Sequence, residues 1–352
     1  MTELLVGTKK GLFALEGSPR DGFEVTLRAF AGEPVEYALR DPFSGHTLAT
    51  MTSPWYGPKI FYTDDPASGA WEQASGLELP DGAALERIWV IVADDDGTLY
   101  AGGDPGVLFA SRDGGVSWEL NRALWEHPTR PRWQPGGGGL CLHSIAPTVG
   151  APGRLALGIS AVGVWLSDDG GASWRQGNRG LKPRYLPEDA PEDSFDLCVH
   201  DVQRAALDPD RLFMQFHGGV YRSDDAGESW VDIGAGLPSD FGFPLALDPA
   251  DPDSAYVIPL TADVDRVTCD GRVAVYETRD AGATWTARGT GLPGEHAYLT
   301  VLREAFDRRG SGDALELYFG ATSGDVFGSG DAGASWGAAA TRLPPVYSVR
   351  AV

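Results

Sequence analysis

The chain has 352 residues, and its 28 basic and 50 acidic residues give a formal net charge of −22. Such acidity argues against nucleic acid and anionic membranes as partners, because both are bound through lysine and arginine. No apolar stretch approaches the ~20 residues of a membrane-spanning helix, and the N-terminal segment lacks the apolar core of a signal peptide. The odd set of cysteines, Cys141, Cys198 and Cys269, is typical of free thiols in a reducing compartment. We therefore expect a cytoplasmic protein whose partner is a small-molecule ligand or another protein.

A motif with the pattern Ser/Thr-x-Asp-x-Gly-x-x-Trp, which we call the box, recurs along the chain, and two degenerate repeat units at 4–15 and 59–71 precede its first full copy. Its five full copies, spaced 51 to 56 residues apart, occupy 111–118, 167–174, 223–230, 278–285 and 329–336. The Asp can accept backbone N–H bonds in a tight turn, for which the Gly supplies the backbone angle. The Trp can bury its ring while its N–H finds an acceptor. Aromatic or β-branched residues precede each copy, so each box predicts a hairpin between two strands.

The two ends of the chain complement each other. The five full and two degenerate copies make seven units, and the boxed units predict four antiparallel strands each. The last segment, Pro345–Val352, resembles a strand that opens a unit, such as Val35–Arg40, and the first unit lacks such a strand. We predict an all-β, seven-bladed β-propeller over residues 1–352, closed by the C-terminal strand pairing into the N-terminal blade.

The five boxes resemble the Asp-box, or bacterial neuraminidase (BNR) repeat, of sialidases, sortilin-type receptors, bacterial glycosidases and a photosystem II assembly factor. The segments 133–144 and 237–248 are also similar to bacterial repeat proteins described as glycosyl hydrolases or exo-sialidase-like. The resemblance implies a sialidase-like fold and a glycosyl-hydrolase-like activity, although this fold hosts many unrelated functions. The Phe/Tyr-Arg-Ile-Pro motif of sialidases is absent, which disfavours true exo-sialidase activity.

Three long connections predict a cap over one mouth of the propeller channel, at about 121–139, 177–197 and 261–271. If the boxes join third to fourth strands on one face, these connections belong to the opposite face, where loops can vary freely. Trp125, Trp133 and Tyr185 on them either cover a ligand or pack the loops on themselves. We take Trp133 as a candidate substrate-binding residue.

Histidines stand at equivalent positions of neighbouring units. His143, His200 and Arg87 each lie 25 or 26 residues before the Asp of the following box, near the start of a channel-lining strand. A cysteine precedes each of the two histidines by two residues and therefore shares its strand face. His217 falls on the turn between the second and third strands of the unit that contains His200. We expect these side chains to meet at the capped mouth.

Three interpretations of this cluster remain open. His143, His200 and His217, with one or both cysteines, have the ligand types of a zinc, copper or iron site. Without a metal, His143, His200, Arg87 and Tyr37 would be catalytic residues that bind or protonate a substrate. The third interpretation is structural, with channel-lining histidines satisfied by water and backbone.

Further candidate substrate-binding residues surround the same mouth. Tyr298 and Tyr347 are assigned to opening strands, as is Tyr37, and Lys10 to the matching turn of the first unit. Arg87 either clamps a carboxylate or phosphate or pairs with Glu36 or Glu86. We favour a small-molecule enzyme, a hydrolase or lyase whose His-rich site supplies either acid/base groups or metal ligands. The alternative is a non-catalytic propeller that serves as a scaffold or assembly factor.

Overall fold

The computed structural model describes residues 1–182, 195–262 and 264–352. In these residues the chain forms 28 strands, one α-helix and five short 3₁₀ helices. The strands are β1 (Thr2–Thr8), β2 (Gly11–Ser18), β3 (Gly22–Ala29), β4 (Val35–Arg40), β5 (Thr47–Ser53), β6 (Gly57–Thr63), β7 (Glu72–Gln73), β8 (Arg87–Ala93), β9 (Leu99–Asp104), β10 (Val107–Ser111), β11 (Glu119–Leu120), β12 (Leu142–Pro147), β13 (Leu155–Ile159), β14 (Gly163–Ser167), β15 (Arg175–Gln176), β16 (Val199–Arg204), β17 (Leu212–Phe216), β18 (Gly219–Ser223), β19 (Val231–Asp232), β20 (Gly242–Leu247), β21 (Ala255–Pro259), β22 (Val275–Thr278), β23 (Thr286–Arg288), β24 (Phe306–Arg309), β25 (Glu316–Gly320), β26 (Val326–Ser329), β27 (Gly337–Ala340) and β28 (Val346–Ala351). The helices are α1 (Arg122–Trp125) and the 3₁₀ segments Pro66–Ser68, Pro80–Gly82, Arg130–Arg132, Cys269–Gly271 and Gly312–Ala314.

The strands of the described residues pair into seven antiparallel sheets of four, which confirms the predicted seven-bladed propeller. From channel to rim, the blades are β28-β1-β2-β3, β4 to β7, β8 to β11, β12 to β15, β16 to β19, β20 to β23 and β24 to β27, numbered one to seven. The first strands of neighbouring blades contact one another around the channel. Apolar side chains fill the spaces between blades, and one buried cluster joins Ile88 of blade three to Trp165 of blade four.

The C-terminal strand closes the ring, as predicted. β28 pairs antiparallel with β1, so that Val349 lies opposite Val6 and Ala351 opposite Leu4. The first blade therefore takes its channel-lining strand from the end of the chain. Val349 is fully buried in the core that blades one and seven share.

Each box forms the predicted hairpin between the third and fourth strands of its blade. In the box at 167–174, the Ser167 hydroxyl donates to Asp169 Oδ1 (2.8 Å) and accepts the N–H of Gly171 (2.9 Å). Asp169 also accepts the backbone N–H (2.9 Å) and the hydroxyl (2.6 Å) of Ser173. The same contacts recur in the other boxes. The box Trp of blade five links two blades, because Trp230 Nε1 donates to the carbonyl of Gly177 at 2.8 Å.

Removing a box carboxylate is expected to lower stability. Asp331 accepts the hydroxyls of Ser329 and Ser335 and the N–H of Ser335. Burial alone would raise the pKa of Asp331, but these hydrogen bonds hold it below its usual value. Asp331→Ala is expected to lower the free energy of unfolding by about 1 kcal/mol at pH 6, measured by urea denaturation. Asp313→Ala is the control, because Asp313 is exposed in the same blade and makes no hydrogen bond or ion pair within the described residues.

The effect of Asp331→Ala should depend on pH. The folded-state pKa of Asp331 lies below its ordinary value of 3.8, so the unfolded chain takes up the proton first as the pH falls. The stabilisation is complete above the unfolded-state pKa and is lost as the pH falls through the lower folded-state pKa. The difference from wild type should therefore shrink between pH 6 and pH 3. An equal difference at both pH values would contradict this explanation.

The starts of the first strands and the turns between second and third strands lie on one face of the ring, which we call the loop face. The boxes lie on the other face. The connection at 121–139 folds over the loop face as α1 and a 3₁₀ segment, and its Trp133 packs on Trp165 with ring centroids 5.0 Å apart. Tyr185, on the connection at 177–197, lies outside the described residues. Among the described residues, no helix has the length and apolar character needed to cross a membrane.

Candidate functional site

A cavity of about 740 Å³ opens at the loop-face mouth of the channel. The residues that line it come from the starts of first strands and the second-to-third turns of blades four to six, and from the segment that leads into blade seven. They are residues 136–139, Ser160, Ala161, Asp196, Cys198, His200, His217, Phe243, Val264, Arg266 and Arg303. The cavity thus lies where the topology predicted a site.

Cys198, His200 and His217 bring one sulfur and two imidazole nitrogens within 4.8 Å of one another. Cys198 directly precedes β16 and His200 is the second residue of this strand, so both side chains come from its start. His217 lies on the turn between β17 and β18, where its backbone N–H donates to the carbonyl of Cys198 at 2.9 Å. One thiolate and two imidazoles suit zinc, copper or iron. Within the part of the chain that the structure describes, no other three His, Cys, Asp or Glu side chains converge in this way.

The surroundings of His200 orient it as a ligand. Its Nδ1 lies 2.6 Å from the carbonyl oxygen of Gly242, which can only accept a hydrogen bond, so Nδ1 carries the proton and Nε2 keeps its lone pair. Burial, with the positive charge of Arg303, lowers the pKa of His200 well below its usual value. The rings of Phe241 and Phe243, at 5.4 and 4.9 Å, pack against the imidazole and hold its orientation.

Cys198 is the cysteine that joins the histidines. Burial raises the pKa of its thiol, whereas the positive charge of Arg303 and hydrogen bonds from Ala161 and Ser160 act in the opposite direction. Cys141, at the equivalent position of blade four, instead donates to Asp104 Oδ2 (3.4 Å) and to a backbone carbonyl. Burial, together with Asp104, raises the pKa of Cys141 to about 12, so its thiol stays protonated.

His143 is near the cluster but outside the group of three ligands. Its Nε2 lies 2.7 Å from Ser160 Oγ, and the imidazole is fully buried. Burial, followed by the charge of Arg303, lowers the pKa of His143 well below its usual value. The arrangement makes His143 a positioning residue for Ser160, whose hydroxyl lines the cavity and contacts Cys198. No signal in the sequence pointed to Ser160, because it lies on a turn outside the repeat pattern.

Arg303 is a residue of this mouth that the repeat pattern did not predict. Its guanidinium carbon lies 4.7 Å from the ring centroid of Phe243 and 6.0 Å from that of Trp89. It lies 28 residues before the Asp of its box, Asp331, rather than 25 or 26, and it precedes β24 instead of standing on it. The distance to the Asp of the box that identified Arg87 as a candidate therefore does not identify Arg303.

Two of the proposed catalytic residues have partners of their own. Arg87 forms an ion pair with the buried Glu36 (3.4 Å) and lies 4.5 Å from the ring centroid of Trp89. Pairing with Glu36 was one of the two sequence-based interpretations of Arg87, and the structure contains it. Tyr37 lies deeper in the channel, where its hydroxyl accepts a hydrogen bond from Arg350 Nε at 2.5 Å. Neither side chain is among those that line the 740 Å³ cavity.

The proposed substrate-binding residues also lie outside the lining of this cavity. Trp133 is buried inside its own connection, where Nε1 donates to Thr129 at 3.1 Å. Lys10 is exposed on the turn between β1 and β2, and Tyr347 lies on β28 near Arg87 and Glu36.

The assignment of Tyr298 to an opening strand is wrong. It is 64% exposed and lies before β24, which begins only at Phe306. Backbone hydrogen bonds from Ala297 N–H to Gly271 and from Thr268 N–H to Leu299 hold this segment against the connection of blade six.

A second polar cluster lies deeper in the channel, around a cavity of about 270 Å³. Glu304 and Arg350 form an ion pair at 2.5 Å. Burial raises the pKa of Glu304 to about 8 although Arg350 opposes it, and burial raises the pKa of Asp201 to about 7. Arg303 lines both this cavity and the one at the mouth.

Comparison with known proteins identifies solved structures of the same architecture. An ancestral GH74 enzyme matches with a TM-score of 0.58 and 18% identity over 84% of this chain, which spans 36% of that enzyme's length. YCF48 bound to D1 peptide matches with a TM-score of 0.53 and 16% identity, covering 90% of this chain and 84% of YCF48. A GH74 enzyme from Niastella koreensis matches with a TM-score of 0.52 and 14% identity, covering 98% of this chain and 68% of that enzyme.

These comparisons show the fold alone. No family model matches the chain, and no curated protein matches it. The likeness to Asp-box propellers is therefore confirmed at the level of architecture, and this architecture hosts many unrelated activities.

Proposed function

We propose that this protein is a metal-dependent enzyme, a hydrolase or lyase, that acts on a small molecule at the loop-face mouth of the channel. The observation that carries the proposal is the convergence of Cys198, His200 and His217 within 4.8 Å at the wall of a 740 Å³ cavity. Three protein ligands are typical of catalytic zinc sites, where a further position binds water or substrate. The GH74 enzymes of similar fold support the choice of a hydrolase by analogy only.

The protein residues around the site have defined tasks in this proposal. A metal ion held there would polarise a substrate oxygen or lower the pKa of a bound water. The Gly242 carbonyl fixes the tautomer of His200, and Ser160 donates toward the Cys198 sulfur. Outer contacts of this kind orient metal ligands and affect metal affinity. The neutral imidazole of His143, 2.7 Å from Ser160 Oγ, can exchange a proton with a hydroxyl that faces the cavity.

The proposal is tested by a turnover screen with zinc-loaded and chelator-treated protein. Small esters, lactones, phosphoesters, glycosides and β-hydroxy acids cover hydrolytic and lyase chemistry. We expect turnover of at least one class with the loaded protein, a loss of at least 100-fold in Cys198→Ser and His217→Ala, and wild-type rates in Cys269→Ser. A rate that is unchanged by chelation and by both substitutions would contradict the proposal.

A scaffold is the second candidate function, and exposed aromatic side chains favour it. Trp55 and Tyr56, on the loop-face turn between β5 and β6, are 84% and 79% exposed. YCF48, whose fold is similar, has been solved bound to D1 peptide. If the loop face binds a protein, a stable complex should form with wild type and be lost in Trp55→Ser/Tyr56→Ser. It should persist in Phe43→Ser, which changes an aromatic residue that is 56% exposed at the opposite face.

A further inference from the structure

We propose that Arg303 makes the cavity an oxyanion site, so that the ligand bound beside Cys198, His200 and His217 carries a carboxylate or phosphate group. The inference rests on the proposed function for the reaction, but not for the binding of the anion. It names the chemical class of the substrate, which the metal ligands alone leave undefined.

Arg303 has no directly bonded partner within the described residues. It forms no ion pair or hydrogen bond there, and its Nε is shielded from solvent without a partner. The carboxylate next to it in sequence, Glu304, is bound by Arg350 at 2.5 Å. A shielded guanidinium without a directly bonded carboxylate is costly in a protein interior, which favours a ligand that supplies an anionic group.

The packing of Arg303 suits the recognition of an oxyanion. Its guanidinium lies over the Phe243 ring, at 4.7 Å, and stacking of this kind leaves the N–H groups at the edge of the plane to donate. A carboxylate or phosphate can accept two such bonds in parallel. Lysine in this place would keep the charge but lose the paired geometry.

A second guanidinium lies beside the same aromatic ring. Arg266 lies 5.7 Å from the same Phe243 ring, and its charge lowers the pKa of Arg303 in addition to the larger effect of burial. The described residues that line the cavity include these two arginines and one residue with a carboxylate, Asp196.

Phe243 connects the arginine to the metal ligands. The same ring lies 4.9 Å from the His200 imidazole and 4.7 Å from the Arg303 guanidinium carbon. A small anion in the cavity therefore lies within reach of both groups.

Isothermal titration calorimetry tests the inference, with malonate and inorganic phosphate as anionic probes and malonamide as the neutral analogue of malonate. The titrations are made with chelator-treated protein, so that metal does not contribute, and the zinc content of zinc-loaded samples is measured separately. We expect at least one anion to bind wild type and malonamide not to bind. Arg303→Gln should weaken anion binding by at least tenfold and Arg303→Lys by a smaller factor, while Arg20→Gln, with the same change in net charge at an exposed site, should match wild type.

The thermal midpoint separates ligand binding from a structural role. Because Arg303 makes no ion pair or hydrogen bond within the described residues, Arg303→Gln should unfold at or above the temperature of wild type, whereas loss of a structural arginine would lower it. Absence of anion binding, or equal binding by wild type and Arg303→Gln, would overturn the inference even if zinc binds. Anion binding that depends on Arg303 in a protein that takes up no zinc would support it and refute the metal-dependent function.

Discussion

Cys198→Ala and His217→Ala are each expected to lower zinc affinity by at least about 100-fold, because each removes one of three ligand atoms that lie within 4.8 Å of one another. Changes to outer contacts of metal ligands already cost about 10-fold to 100-fold in affinity. The measurement is a competition titration against a chromophoric chelator. Circular dichroism of each variant confirms that the fold is retained.

The equivalent cysteine of blade four provides a matched control. Cys141 stands at the same position of its repeat, but its Sγ donates to Asp104 and to the Gly138 carbonyl. Cys141→Ala should therefore keep wild-type zinc affinity. Equal loss in the Cys141 and Cys198 variants would mean that the described geometry does not define the site.

The largest effect on stability is expected from the strand that closes the ring. Val349 is fully buried on β28, opposite Val6 of β1, and its N–H donates to the carbonyl of Glu304 at 2.9 Å. Val349→Asp places a charge among the buried apolar side chains of the core that blades one and seven share. We expect a loss of about 4 kcal/mol or more in the free energy of unfolding, measured by urea denaturation.

Val231→Asp is the control for the closing strand. Val231 lies on β19, an outer strand, and is 51% exposed. This substitution should change stability by less than about 0.5 kcal/mol. Similar losses in the two variants would contradict the view that ring closure makes β28 especially sensitive.

The repeat pattern predicted the fold because each unit carries its own turn chemistry. The Asp, Gly and Trp of the box specify a hairpin locally, so five copies place five pairs of strands without knowledge of distant contacts. The resemblance of the segment 345–352 to an opening strand then identified the closure that β28 and β1 form. The prediction for Tyr298 failed because its segment forms backbone hydrogen bonds with the connection of blade six, so that β24 begins only at Phe306. No local sequence pattern indicates this later start.

The candidate site was predictable where it follows the repeat and not where it depends on loops. The shared distance of 25 or 26 residues before the Asp of the box predicted that His200, and with it Cys198, lies at the channel mouth. The position of His217 on the turn between second and third strands predicted its place beside them. The offset also treats His143 as equivalent to His200, but a contact with Ser160 on a neighbouring turn separates their roles. Arg303 depends on the path of a connection, and the packing of Phe243 against it is a long-range contact that sequence spacing does not contain.

X-ray absorption spectroscopy at the metal edge, on protein purified without chelators and analysed for metal content, tests the proposed metal centre. We predict near-stoichiometric metal with one sulfur and two imidazole nitrogens among its ligands, at about 2.3 Å and about 2.0–2.1 Å for zinc. In Cys198→Ala the sulfur contribution should disappear. No bound metal in wild type, or a metal whose ligands include no sulfur, would refute the metal centre formed by Cys198, His200 and His217.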